Sequence, residues 1–445
     1  MKTDPWLSYA LQGIWIAALI ALILFGAANS TRLFEAERKL QQNALREPQA
    51  ADPTAVYVEV LLPQAVLPQL SVGYSGIAPS MHLIRLVAAR PLSNIDPIEH
   101  PSRRRYGRID LNFVFLIALP IAILPLCFWV YRKSLASGAV AKLMEGKVSF
   151  FDFCVERILL PIGSFLGILM LTTLGALYTN GLRIGSNELL ARLSLWALIA
   201  GLYLLLWFLL FAWLLLRQSN FSEAVLFYSA ACVIVLMALP MMLHTLESTF
   251  APPHERLPII LERKQLALEL RDVDRVAIDR YLQSKGSPSF DWSQPLKPAE
   301  ASALASLRVE ERLAPKINAF EDSVQSLDRI AQAASWLSPL ELAQSAIDDL
   351  AGTGISRYSR FRAASIGYFN DWQSYTLPFL AKRRTLDFDA LRAAPKFQFK
   401  EEDAAWIFGL AGLRALYLAV LVLGILLLIR RQLKQVLPKK ANAAR

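Results

Sequence analysis

The sequence predicts an all-α polytopic membrane protein, with six transmembrane helices and a mainly helical extracytoplasmic domain made of two insertions. Three observations lead there. The 445 residues are 55% hydrophobic and 19% charged, whereas an ordinary soluble domain carries about 25% charge, and the mean hydropathy is +0.37. The apolar residues fall in blocks of ~20, the length a helix needs to cross a hydrocarbon core. Between the blocks lie two long polar segments, and the second repeats apolar positions at helical spacing.

The blocks are 8–28, 112–131, 158–178, 193–216, 221–244 and 410–429. The first is too long for a typical signal core, and Ala27-Ala28-Asn29-Ser30 matches a cleavage site only loosely, so it reads as a retained anchor. Ionisable residues are nearly absent inside the blocks; Glu223 and Arg414 sit near ends. Trp6, Tyr131, Tyr178 and Trp406 stand where interfacial anchors belong. Pro120 and Pro125 should kink the second span. Gly163 and Gly167 form a G-x-x-x-G face on the third, which permits close helix approach.

The polar parts follow from that topology. An even number of spans puts residues 1–28, the loop 132–157 and the tail 430–445 on one face, and segments 29–111 and 245–409 on the other. The tail carries Arg430, Arg431, Lys434, Lys439, Lys440 and Arg445, and the loop adds Arg132, Lys133, Lys142, Lys147 and Arg157. The opposite loop 179–192 has only Arg183 and Arg192, so the termini are placed in the cytoplasm. Arg103, Arg104, Arg105 and Arg108 point the other way, but long loops cross largely regardless of charge. These four are read as contacts for anionic lipid or substrate, and the net charge of +10 reflects lipid headgroups more simply than nucleic acid.

Segment 29–111 opens with a charged helical continuation, Arg32 to Arg46, then a short extended piece, Ala55 to Val60, and the fold of 50–105 is left open. Segment 245–409 reads as helical over 258–285 and 300–350, with a break at Gly286-Ser287-Pro288 and a turn at Gly352-Thr353-Gly354. Cys127, Cys154 and Cys232 lie in or beside apolar blocks and imply no disulfide framework.

No constellation in the chain reads as a catalytic, cofactor-binding or metal site. Gly138 to Lys147 lacks the spacing of a phosphate loop, and Val148 stands where Ser or Thr would hold magnesium. His82, His100, His244 and His254 show no metal-ligand spacing and read as isolated surface or interface residues. There is no G-x-S-x-G elbow. The pairs Asp348-Asp349 and Glu401-Glu402 read as solvated helix ends rather than acid/base carboxylates. An intramembrane protease or proton pump would need ionisable groups deep in the spans.

The order of parts is one span, a large segment, four spans, a second large segment and one span. Four stretches add to it: Gly107-Arg108-Ile109-Asp110-Leu111-Asn112-Phe113-Val114 with Leu119-Pro120; Pro252-Pro253-His254-Glu255-Arg256-Leu257 with Arg263; Ser338-Pro339 with Asp349-Leu350-Ala351-Gly352-Thr353-Gly354, Arg357-Tyr358 and Phe361; and Pro395 with Phe397. The whole resembles permease subunits of ABC-2-type ABC transporters, in the branch with two large extracytoplasmic segments related to multicopper-enzyme maturation permeases. The resemblance implies a permease of a bacterial cytoplasmic membrane that exports or extracts a substrate. Two separate ATPase subunits would supply ATP and magnesium, and this chain would hold no cofactor. It implies a coupling helix in 132–150, with Arg132, Lys133, Gly138, Lys142, Leu143, Glu145 and Lys147 toward the ATPase. The family's acidic pair and Gly-Thr are replaced here by Ser134, Ala136, Gly138 and Ala139. That implies pairing with a second, non-identical permease. The alternative is a membrane-anchored extracytoplasmic scaffold for assembly or maturation of another protein.

Overall fold

A computed structural model describes residues 5–44, 56–76, 80–85, 109–125, 156, 160–182, 185–217, 221–250, 256–270 and 273–443. The described chain is helical apart from one hairpin-like pair of strands. Five helices are long and apolar enough to cross a membrane: α1 (Pro5–Ala44), α3 (Leu160–Thr179), α4 (Asn187–Arg217), α5 and α12 (Ala404–Ala443). Helix α5 runs Phe221–Val233, passes through a π-helical turn at Ile234–Ala238 and continues as Leu239–Phe250. This is the character of a helical membrane protein. The sixth expected span, 112–131, is described only over its first part. It forms a shorter apolar helix, α2 (Leu111–Ala122), and residues 126–131 lie outside the described residues.

Helix α4 forms the axis of the apolar bundle. Trp196, Ile199, Ala200, Tyr203, Leu204, Trp207, Phe208 and Phe211 recur at helical spacing and are all buried. Phe115 of α2 meets Trp196 edge-on at 5.2 Å, and Tyr228 of α5 meets Trp207 at 5.7 Å. Rings crossing edge to face combine area burial with a favourable quadrupole contact.

Helices α2 and α5 share an irregularity. A π-turn, Val114–Ala118 or Ile234–Ala238, precedes Leu119-Pro120 or Leu239-Pro240. Proline lacks an N–H and leaves the carbonyl four residues back without its helical donor. In α2 that carbonyl belongs to Leu116, and Tyr203 of α4 donates its hydroxyl to it at 2.9 Å. Tyr228 of α5 also donates to α2, to the Pro120 carbonyl at 2.7 Å. The proline segment thus contains a π-turn, and carbonyls at and beside it are served by neighbouring helices, as an apolar surrounding requires.

Among the described residues no close crossing is found at the G-x-x-x-G face of α3. A Cβ built on Gly163 or Gly167 finds nothing within 4 Å. The tight crossing is instead at Gly26 of α1, where a Cβ would come within 2.9 Å of Val114 and 3.3 Å of the Asp110 carbonyl. One turn on, Ser30 Oγ accepts from Leu111 N–H at 3.1 Å, and Asn29 donates to the Ile109 carbonyl at 2.8 Å. Helix α1 thus runs unbroken through Ala27-Ala28-Asn29-Ser30 and continues to Ala44, as the charged stretch predicted.

The second body comes from the polar segments. Strands β1 (Tyr57–Leu61) and β2 (Met81–Arg85) pair antiparallel, with Tyr57 opposite Arg85 and Leu61 opposite Met81. Among the described residues six helices, the last of them short, follow the bundle's fifth: α6 (Arg256–Glu269), α7 (Arg275–Ser284), α8 (Pro298–Ala334), α9 (Pro339–Ala351), α10 (Ile355–Ala381) and α11 (Phe388–Ala393) precede α12. The strands, α6, α8 and α10 enclose one core around Leu313, Ile317, Phe320, Phe361, Phe369 and Trp372. A smaller one joins α7, the start of α8 and the end of α10 through Ile278, Leu282, Leu304 and Leu377. The single helical stretch expected over 300–350 is divided. Ser338 caps a new helix, its Oγ accepting from Glu341 N–H, and Pro339 sits at the first helical position.

Candidate functional site: the α9 junction

Helix α9 belongs in sequence to the second polar segment, yet it packs with the apolar bundle. Leu340, Leu342, Ala343, Ala346, Ile347, Leu350 and Ala351 join the same core as α2, α4 and α12. It is thus a piece of the polar segment that reaches into the bundle, together with Trp336 against Tyr417 of α12, and its end is where the buried polar groups gather.

A helix leaves its last four carbonyls without internal partners. Here each finds one. Asp348 O accepts from Thr353 N–H at 2.8 Å and Asp349 O from Gly352 N–H at 3.2 Å. Leu350 O accepts from Arg192 of α4 at 2.9 Å, and Ala351 O from Leu67 N–H at 3.0 Å. Gly352 takes the left-handed conformation, φ 78°, that closes such an end. The Arg192 cation also suits the negative pole of α9.

The side chains extend the pattern. Asp348 Oδ1 accepts from Ser71 Oγ at 2.5 Å and from Asn112 Nδ2 at 3.2 Å. Asp349 Oδ2 pairs with Arg414 of α12 at 2.6 Å. Three successive residues therefore reach three different apolar helices: Asp348 to α2, Asp349 to α12 and Leu350 to α4. Asp110 secures the same corner, accepting Phe113 N–H at 2.7 Å to cap α2 and Val72 N–H at 3.0 Å. Gly73, at φ 46°, lies against Thr353 so closely that a Cβ would stand 2.5 Å from its hydroxyl. Gly354 is equally constrained, since a Cβ there would stand 2.0 Å from Asp349 Oδ1.

Burial raises the Asp349 carboxyl above its ordinary range, and the Arg414 guanidinium opposes that shift. Both acids were expected to be solvated; Asp348 is instead only 2% exposed. Arg192 and Arg414, counted from sequence as loop and span-end charges, are buried within α4 and α12. Among other hydrogen bonds at the rim, Arg357 of α10 donates to Glu401, to Gly352 O at 3.1 Å and to Pro63 O at 2.8 Å, while Arg360 pairs with Glu402 at 2.9 Å. The second acidic pair is therefore a docking point for α10 on the strand-like approach to α12, not a free helix end.

His82 also departs from a surface reading. It lies on β2, buried against the Phe361 ring at 5.3 Å, and burial followed by the nearby Arg362 cation lowers its pKa to about 4. Arg103, Arg104, Arg105 and Arg108 lie outside the described residues, as do Arg132, Lys133, Gly138, Lys142, Leu143, Glu145 and Lys147. So do Cys127, Cys154, His100 and His254. Among the described residues no group of His, Cys, Asp and Glu is arranged to hold a metal ion.

The junction's carboxylates are held by a guanidinium, a hydroxyl and an amide, and they join α9 to neighbouring helices. Sequence reading found its turn glycines but not the Ser338-Pro339 cap, and not its charges, because Ser71, Asn112, Arg192 and Arg414 are far from Asp348-Asp349 in the chain. No curated protein and no solved structure matches the chain. A family model, a domain of unknown function (DUF3526), matches residues 296–400, which run from the start of α8 through α9 and α10 to the segment before α12.

Proposed function

We propose that the chain is the membrane-spanning permease subunit of an ABC transporter, driven by ATP hydrolysed in separate subunits. The reading rests on the resemblance of segment order and motifs, and the observation that best supports it is the α9 junction. A permease must turn a rearrangement among its spans into a change in the domain beyond them. A body fastened to α2, α4 and α12 by buried charge-assisted bonds is suited to that task, because displacement of any of the three helices strains it. The coupling helix belongs in 132–150, where the ATPase would dock, and a second, non-identical permease would complete the pair. The substrate would be moved across, or drawn out of, a bacterial cytoplasmic membrane. Coupling free energy arises only from contacts that differ between two states.

The test is purification in mild detergent with the neighbouring ATPase and permease co-expressed. Co-purification of both, lost when residues 138–147 are replaced by a Gly-Ser linker, is the expected result. If neither protein accompanies the native chain, the permease reading fails. A membrane-anchored scaffold then explains the same topology.

A further inference from the structure

We propose that residues 348–350 form a conformational latch, which holds the helical body on the apolar bundle and opens when α2, α4 and α12 move relative to one another. The proposal deepens the permease reading but can fail independently of it. Its basis is the distribution of bonds along one turn. Asp348 is held by Asn112 of α2 and by Ser71, Leu350 O by Arg192 of α4, and Asp349 by Arg414 of α12. A group meant only to stabilise a core would be served by neighbours on one or two elements. Here each bond addresses a different helix, so no rigid movement of one of them preserves all three.

The surroundings make the arrangement two-state rather than elastic. Arg192 and Arg414 are 4% and 3% exposed, and neither can swing to water without leaving its site. Arg192 keeps Glu188 of its own helix at 2.8 Å, but Arg414 would lose its carboxylate on opening, and a buried cation without one is costly to leave alone, so a half-open latch is disfavoured against closed or fully released. The backbone is fitted equally closely: Gly73 against Thr353 and Gly354 against Asp349 leave no room for sliding. Leu67 and Tyr74 donate to the carbonyls of Ala351 and Thr353, so segment 67–74 is carried with the end of α9. Release would therefore free α9 together with 67–74, and not α9 alone. On the other side of the latch, α10 begins at Ile355, directly after the Gly352-Thr353-Gly354 turn. Any rotation of α9 is thus passed to the longest helix pair of the body.

Hydrogen exchange on the full chain in lipid nanodiscs tests this. In Asp349→Asn the shape is kept and the charge lost. We expect exchange over 339–351 and 67–74 to rise at least about tenfold, with α8 and α10 unchanged, as local rather than global opening requires. Unchanged exchange in α9, or an equal rise through α8, α10 and α4, would overturn the latch; the second result would make the pair a general support of folding. Should Asp349→Asn fail to accumulate, Ser71→Ala removes one donor to Asp348 and carries the same two outcomes. With an ATPase partner bound, adding a non-hydrolysable ATP analogue should alter exchange in 339–351. A bound ATPase whose nucleotide leaves α9 unaffected overturns the latch as a relay. Absence of any bound ATPase counts against the permease reading alone, and the Asp349→Asn result then decides the latch.

Discussion

Two buried guanidinium clusters of the same chemistry serve opposite ends in this molecule. In the helical body, Arg362 of α10 pairs with Glu321 at 3.2 Å and Asp328 at 3.1 Å, both on α8. All three residues belong to helices that already share a core, so the cluster fixes the register of two partners that would meet anyway. At the junction, Arg414 and Arg192 tie α9, a piece of the polar segment that lies in the core of the apolar bundle, to the apolar helices α12 and α4. The difference teaches that burial of a charge pair says little about its role until the elements it joins are identified. Between two helices of one polar segment it specifies packing; between the polar segment and the apolar helices it decides whether they move together.

Arg362→Met offers the strongest way to break this comparison. It leaves Glu321 and Asp328 buried without a cation, which costs about 3–5 kcal/mol. Burial already raises the Asp328 carboxyl above its ordinary range, with Arg362 opposing, so the acid is set to take up a proton once the cation is gone. The loss should fall on α8 and α10, read as faster exchange and earlier proteolysis there, with α9 remaining protected. Equal loosening of α9 would show that the two clusters form one unit.

Acidification sharpens the contrast next. His82 falls from an ordinary value of 6.5 to about 4 in the folded body because burial disfavours its cation. A histidine with a depressed folded pKa binds fewer protons folded than unfolded, so stability is complete above about pH 6.5 and declines as pH falls toward 4. The full effect is about 3 kcal/mol. Asp328, shifted upward, works in the opposite sense, since the folded state then binds protons more readily than the unfolded one, and it offsets part of the loss. Thermal melting of the helical body between pH 7 and 4 should therefore show a decline that His82→Phe removes. A pH-independent melt would mean that His82 is hydrated in the folded chain.

Gly73→Ala probes the junction by shape instead of charge. The added Cβ would meet Thr353 Oγ1 at 2.5 Å and its carbonyl at 2.8 Å, on a backbone whose φ of 46° already disfavours a side chain. A cost of about 2 kcal/mol is expected, confined to 67–74 and the end of α9. Exchange measured in the Arg362 region should not change.

How much of this was legible in the sequence follows from the range of each interaction. Apolar blocks of helical length announce themselves locally, and five of six expected spans have full-length helices; the sixth is described only as far as its short helix. The helix end at Gly352 was legible from its glycine turn, whereas the start at Ser338-Pro339 was read through, because the apolar positions keep helical spacing across 300–350. The strand at Tyr57 was visible from its alternation, but its partner at Met81 was not, because five residues with Pro and Gly on either side lack a periodic signal. The polar junction was hidden altogether. Asp348-Asp349 before a glycine turn looks like any solvated helix end, and only the fold brings in Asn112, 236 positions away. The tight Gly26 crossing was missed for a related reason: Gly26 and Ser30 are a small-x-x-x-small pair without a second glycine, set in a stretch read only as the end of a retained anchor.

The smallest effect tests the bundle's own solution to its prolines. Tyr203→Phe removes the hydroxyl that donates to Leu116 O, and Tyr228→Phe removes the one on Pro120 O. The first leaves Leu116 O, which Pro120 has already deprived of its helical donor; the second removes the interhelical bond to Pro120 O. In water the cost would be lessened by solvent, but these carbonyls face buried rings: Tyr203 and Tyr228 are both fully buried beside Trp207. Interhelical bonds in membranes contribute roughly 0.6 kcal/mol on average and rarely exceed 2. About 1 kcal/mol apiece is expected for these two, because both bonds lie in buried surroundings. The two carbonyls lie one turn apart on α2 and are served from different helices. The double variant should therefore be close to additive, within about 0.5 kcal/mol, when unfolding is followed in mixed micelles. A double loss much greater than the sum would mean that either tyrosine can cover for the other when α2 shifts. The π-turn would then be an adjustable hinge, and the bundle, like the α9 junction, would owe its cohesion to bonds that exchange partners.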